Sequence, residues 1–88
     1  MEKFALYRNY PNPFNPKTGI RIQVSGTSHV RLAVHDLLGR EVAVLLDEKR
    51  APGTYQVEFD GARLASGVYI CRMAAGKYVE SIKMVLMK

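Results

Sequence analysis

The chain has 88 residues, 48% of them hydrophobic and 24% charged, with a formal net charge of +5. That is enough for one domain with one modest core, burying about 60–65% of its unfolded surface, and too apolar for a disordered tail. No apolar run approaches the roughly 20 residues of a membrane helix, and the 13 lysines and arginines are scattered along the chain rather than gathered on one run as in nucleic-acid binders.

Met1 to Leu6 carries neither an apolar h-region nor a small-residue cleavage site, so it is not read as an export signal. The stretch from Phe4 to Tyr10 is expected to be a first strand. Tyr10-Pro11-Asn12-Pro13-Phe14-Asn15-Pro16 follows. Its three prolines lock φ and remove three backbone donors, which excludes a helix or a central strand. The asparagines tolerate tight turns and bond to nearby backbone, while Tyr10 and Phe14 offer apolar anchors. Such a stiff segment loses little entropy on docking, whether to its own domain or to a partner. It can also shield a sheet edge.

Period-2 alternation then dominates, with turn signals at about the 8–12-residue spacing of an all-β sandwich. Ile20, Ile22 and Val24 share one face, and Gly26-Thr27-Ser28 turns the chain. Val30, Leu32 and Val34 alternate with Arg31, Ala33 and His35. In the connection Asp36 to Arg40, Gly39 is the expected positive-φ residue. Val42, Val44 and Leu46 alternate with Glu41, Ala43 and Leu45. Helix is the competing reading for Glu41 to Arg50, and the β-branched residues favour strand. After Pro52-Gly53, Tyr55, Val57 and Phe59 form the next inward face. Asp60 to Gly67 is a crossing loop, with one helical turn around Ala62 to Ala65. Tyr69, Cys71 and Met73 line the following strand, and Ala75-Gly76-Lys77 closes a hairpin. In the last strand Ile82, Met84 and Leu86 alternate with Lys83, Val85 and Met87. The expectation is an all-β, immunoglobulin-like β-sandwich of about seven short antiparallel strands, a single domain over 1–88.

Chemistry is sparse. His29, His35 and Cys71 are the only residues beyond carboxylates and hydroxyls suited to metal binding or nucleophilic catalysis, and they lack zinc-ligand spacing. A Cys–His pair needs a proximity that the sequence does not state. The carboxylates sit mostly at turns or on outward strand faces, where Asp36 and Asp60 read as turn caps. No glycine-rich phosphate loop follows a strand. The expectation is no enzyme, no cofactor and no metal. Cys71 reads as a small apolar strand residue and cannot form an internal disulfide.

The chain closes on Lys83-Met84-Val85-Leu86-Met87-Lys88, a strand pattern with lysines at both ends. Those lysines protect a sheet edge from aggregation. A free-ended edge strand is equally a surface that a partner reads by strand addition and a carboxylate pocket.

The two ends together resemble a known family. Leu6 to Thr18, Val34 to Val42, Gly53-Thr54-Tyr55, Leu64 to Tyr69 and the closing Lys83 to Lys88 are similar, in order, to the C-terminal sorting domain of the type IX (Por) secretion system, type A. Arg8, Gly19, His35 and Cys71 depart from its usual residues. The middle is also similar to the immunoglobulin-like domain of the flagellar hook-capping protein, which lacks a sorting role.

The resemblance implies an address label at the C-terminus of a secreted cargo protein of Gram-negative bacteria. Partners would be the outer-membrane translocon, a sortase-like peptidase that removes the domain, and an N-terminal cargo domain. The route would run through the periplasm to the cell surface. Pro11, Asn12, Pro13, Phe14, Asn15 and Pro16 would be the opening motif. Gly67 and Tyr69 would form the inner strand motif, and Lys83, Met84, Val85 and Lys88 the closing recognition strand, with the cut at or upstream of Met1. Missing cargo and a missing export signal fit a fragment of a larger protein.

Two other readings compete. A non-catalytic accessory module for carbohydrate or protein would need a platform from Tyr7, Tyr10, Phe14 and Tyr78. A stand-alone structural module would make the C-terminal residues dispensable. Edge strands at both ends also allow a strand-paired or swapped dimer.

Overall fold

The computed structural model describes residues 3–88, all of it strands, turns and loops. The strands are β1 (Ala5–Leu6), β2 (Lys17–Val24), β3 (Ser28–His35), β4 (Glu41–Arg50), β5 (Gly53–Asp60), β6 (Gly67–Ala75) and β7 (Tyr78–Leu86). They form a three-stranded sheet in the order β1-β2-β5 and a four-stranded sheet in the order β4-β3-β6-β7. Every strand pairing is antiparallel. This is the predicted immunoglobulin-like sandwich, in its three-plus-four form.

Alternation explains the packing. Ile20, Ile22 and Val24 of β2 are fully buried, and so are Val30, Leu32 and Val34 of β3. Cys71 and Met73 of β6 and Met84 and Leu86 of β7 join the β3 residues on the inner face of the four-stranded sheet, and together they pack against β2. One side of each strand faces one core.

Three expectations need correction. The first strand is short. Only Ala5–Leu6 pairs as a strand with β2, with Tyr7 N–H (3.0 Å to the Arg21 carbonyl) and a Tyr10–Gly19 bridge beyond it. The period-2 pattern breaks because Asn9 turns inward to hydrogen-bond Thr18.

β4 does not alternate as predicted. The register skips Leu45 between Leu46 and Val44, and skips Val42 between Ala43 and Glu41. These bulges shift the phase, leaving Val44 47% exposed where an inward valine was expected. Bulges of this kind twist an edge strand away from neighbours.

The crossing loop holds a tight turn rather than a helical one. Leu64 N–H donates to the Gly61 carbonyl at 2.9 Å, and Asp60 Oδ1 accepts from Ala62 N–H at 2.9 Å. Asp36 caps its own turn as expected, taking the N–H groups of Leu38 and Arg40, and Gly39 has φ +85°.

Candidate functional site

The opening motif crosses from one sheet to the other. At its start, Tyr10 and Gly19 exchange backbone hydrogen bonds of 3.0 and 2.8 Å, which ties it to β2. Four residues later, Phe14 N–H donates to the Val85 carbonyl, and Met87 N–H donates to the Phe14 carbonyl, both at 2.9 Å. That parallel bridge ties it to β7. Pro11, Pro13 and Pro16 have no N–H to continue the ladder. Asn12 supplies the missing rung from its side chain. Its Oδ1 accepts from Val85 N–H at 2.9 Å, and its Nδ2 donates to the Lys83 carbonyl at 3.4 Å. The Tyr10–Pro11, Asn12–Pro13 and Asn15–Pro16 peptides are all cis.

Phe14 anchors this strap inside the molecule. It is 1% exposed and meets Phe59 edge-on, with ring centroids 5.9 Å apart. Its expected place among free aromatics is therefore corrected: the main chain on both sides is pinned to β7, and the ring has nowhere to go but the core. Gly61 sits above it. A Cβ there would lie 3.0 Å from Leu86 Cδ2 and 3.4 Å from Phe14 Cε2, so a methyl group would fit only if these side chains gave by a few tenths of an ångström. Gly61 N–H also donates to the Pro16 carbonyl at 2.8 Å, which fixes the end of the strap. Tyr10, by contrast, is 82% exposed.

The closing strand is not the free edge expected from sequence. β6 lies on one flank, and from Lys83 to Met87 the strap lies on the other. The reason is chemical: β7 leaves a row of unpaired backbone groups there, and Asn12 and Phe14 satisfy them. Met84 and Leu86 point into the core, while Lys83 and Met87 are exposed. Lys88 reaches back over the crossing loop. Its ammonium donates to the Ala62 and Leu64 carbonyls, both at 2.7 Å, and its N–H donates to Ser66 Oγ. The Tyr69 hydroxyl donates to the Ala65 carbonyl at 2.6 Å, and Gly67 enters β6 at φ +156°. The opening and closing motifs therefore meet in one surface, and the inner strand motif braces the loop beside it.

Asn9 and Thr18 were not singled out from sequence as site residues, yet they hold the strap's first turn. Both are buried. Asn9 Nδ2 donates to Thr18 Oγ1 at 3.0 Å and to the Pro11 carbonyl at 3.3 Å, and the Thr18 hydroxyl donates to the same carbonyl at 2.8 Å. The only available sign was an asparagine interrupting the apolar alternation just before the prolines.

The residues suited to catalysis lie apart. Val34, buried, is the partner of Cys71 in the ladder, so the adjacent His35 faces the opposite side of the sheet. Burial pushes the Cys71 thiol up to about 12, which leaves it protonated. His29 pairs with Asp47, and His35 lies 3.8 Å from Glu41. Among the described residues no group of His, Cys, Asp and Glu gathers as a metal site.

Comparison with known proteins supplies the family. The model of the secretion system C-terminal sorting domain matches residues 8–87. The chain belongs to that family. It is thus a C-terminal sorting signal of the type IX secretion system, whose cargo is directed to the cell surface or secreted. Among solved structures, the sorting domain is similar to part of PorZ, described as an essential bacterial surface component of the type-IX secretion system of Porphyromonas gingivalis. The TM-score is 0.64 at 22% identity, covering 94% of this sorting domain and 11% of the PorZ chain. That likeness concerns the fold. No curated protein matches the sorting domain.

Proposed function

We propose that the type IX machinery reads this sorting domain as one composite surface, built from the proline strap, the outer side of Lys83 to Met87, and Lys88. The observation that carries this is the hydrogen bonding of Asn12 and Phe14 to Lys83, Val85 and Met87. Neither end can be presented without the other. The domain folds in the periplasm behind an N-terminal cargo domain, and the outer-membrane translocon engages the joined ends. A sortase-like peptidase then removes the domain upstream of the described residues. Exposed Tyr10 and Met87 flank the strap and offer apolar contacts to the receptor.

Deleting Met84 to Lys88 is a poor test, because it strips two fully buried side chains, Met84 and Leu86, from the core. The informative variant is Met87→Ala combined with Lys88→Ala. A reporter with a periplasmic signal peptide is fused ahead of the chain in a host with the secretion system. The doubly substituted protein is expected to stay folded by circular dichroism and to leave the reporter in the periplasm. Unchanged surface display by that folded variant overturns the composite-surface reading.

A further inference from the structure

The strap covers only the second half of β7. Odd-numbered residues of this strand direct their backbone groups away from β6, as the bonds of Lys83, Val85 and Met87 to the strap demonstrate. By the alternation of an antiparallel ladder, Val79 and Ser81 do the same. There the strap is absent, and among the described residues Ser81 N–H is met only by the neighbouring Glu80 Oε1, at 3.3 Å. β1 stands opposite. Tyr7 bonds towards β2, so Leu6 turns its backbone groups to the gap. The two sheets thus leave an open seam of about 690 Å³ between residues 3–8 and the first half of β7.

The walls of the seam define what fits. Its apolar part includes the stacked rings of Phe4 and Tyr78, with centroids 5.7 Å apart, together with Leu6 and Ile82. Among the described residues its charged lining is Lys3, Arg8 and Lys83 against the one carboxylate of Glu80. An extended segment laid along Val79 and Ser81 would place alternate side chains on the apolar rings and the others among three cations. The same edge already accepts an extended segment from its own chain farther along.

We propose that the first half of β7 is a second docking edge, which takes an extended acidic segment of a partner protein by strand addition. This site adjoins the strap surface at Lys83 but uses the backbone of Val79 and Ser81, which the strap does not touch, so its failure would leave the composite-surface reading intact.

The test titrates the 88-residue chain with a blocked peptide of about seven residues alternating glutamate and valine, using the lysine–valine counterpart as control. The glutamate peptide is expected to bind at least tenfold more tightly, and severalfold more weakly in 1 M salt than in 0.1 M. Amide shifts in NMR spectra should be confined to residues 3–8 and 78–83. Ser81→Pro removes an outward N–H that pairs with no strand, so it should abolish binding, while Ser81→Ala keeps it. Should Ser81→Pro fail to fold, Lys3→Glu with Arg8→Glu serves instead and is expected to reverse the preference towards the lysine peptide. Equal affinity for both peptides, shifts elsewhere, or full binding by folded Ser81→Pro overturns the proposal. So does concentration-dependent self-association that shifts the 79–83 amides without peptide, which would assign the edge to a second copy.

Discussion

The side-chain amide of Asn12 spans the main chain of Lys83 and Val85, accepting from one residue and donating to the other across more than seventy positions of sequence. It acts as a peptide group inserted where prolines provide none. Asn12→Ala removes both bonds, but the freed groups lie at a solvated edge. The cost is therefore at the low end for a hydrogen-bonded pair, about 1 kcal/mol. Urea denaturation should show a lower midpoint with an unchanged slope. A changed slope would mean that the strap detaches altogether.

Phe14 is the strap's only deeply buried side chain. Phe14→Ala should destabilise by about 3–5 kcal/mol, a large part of the total for a chain this size. Phe14→Leu keeps most of the apolar volume and should cost about half as much. Thermal unfolding of both variants checks the ranking, and equal loss in the two would argue against an interior packing role.

Gly61 tests the same contact from the other side. Leu86 and Phe14 are both fully buried, and each would have to give by a few tenths of an ångström to admit a methyl group 3.0 and 3.4 Å away. Gly61→Ala should destabilise by about 1–3 kcal/mol through overpacking. Adding Leu86→Val should recover part of that loss, whereas simple additivity of the two substitutions would show that the clash is not the cause.

Most strands were legible because each places one face on a single core, and period-2 alternation records that directly. The bulges of β4 were not, since skipping Leu45 and Val42 changes register without changing composition. The prolines announced an irregular segment, and the resemblance of both ends to one family linked their roles. Their contact was still invisible. Phe14 lies outside any periodic element, so no pattern assigned it a face. The rung that joins it to β7 is a side-chain amide, which local sequence does not distinguish from a turn asparagine.

Acid should weaken the domain through two outer carboxylates. Hydrogen bonding from Arg31 at 2.7 and 2.8 Å holds Glu41 below its ordinary value of 4.5. Desolvation alone would raise Asp36, but the N–H groups of Arg40 and Leu38 and the Arg40 guanidinium hold it below 3.8. Both folded values are depressed, so the stabilisation is fully present above the ordinary range and disappears as pH falls through the folded values. The melting temperature should be flat from pH 7 to about 5 and drop below about 4. Glu41→Gln with Asp36→Asn should flatten that drop, and an undiminished drop would place the acid sensitivity elsewhere.

Cys71 reports on the whole core. It lies in β6, between β3 and β7, fully buried, with its thiol pushed up to about 12. Only the thiolate reacts with a disulfide reagent, so labelling at pH 8 needs the sandwich to open. The native chain should label at least about a thousandfold more slowly than the urea-unfolded chain, as a domain of ordinary stability requires. Phe14→Ala, which removes about 3 kcal/mol or more, should speed native labelling about a hundredfold if global opening is the route. Asn12→Ala should speed it only about fivefold. Rapid labelling of the unmodified chain, or equal acceleration by the two variants, would mean that Cys71 is reached by local parting of β6 and β7 rather than through loss of the strap and core together.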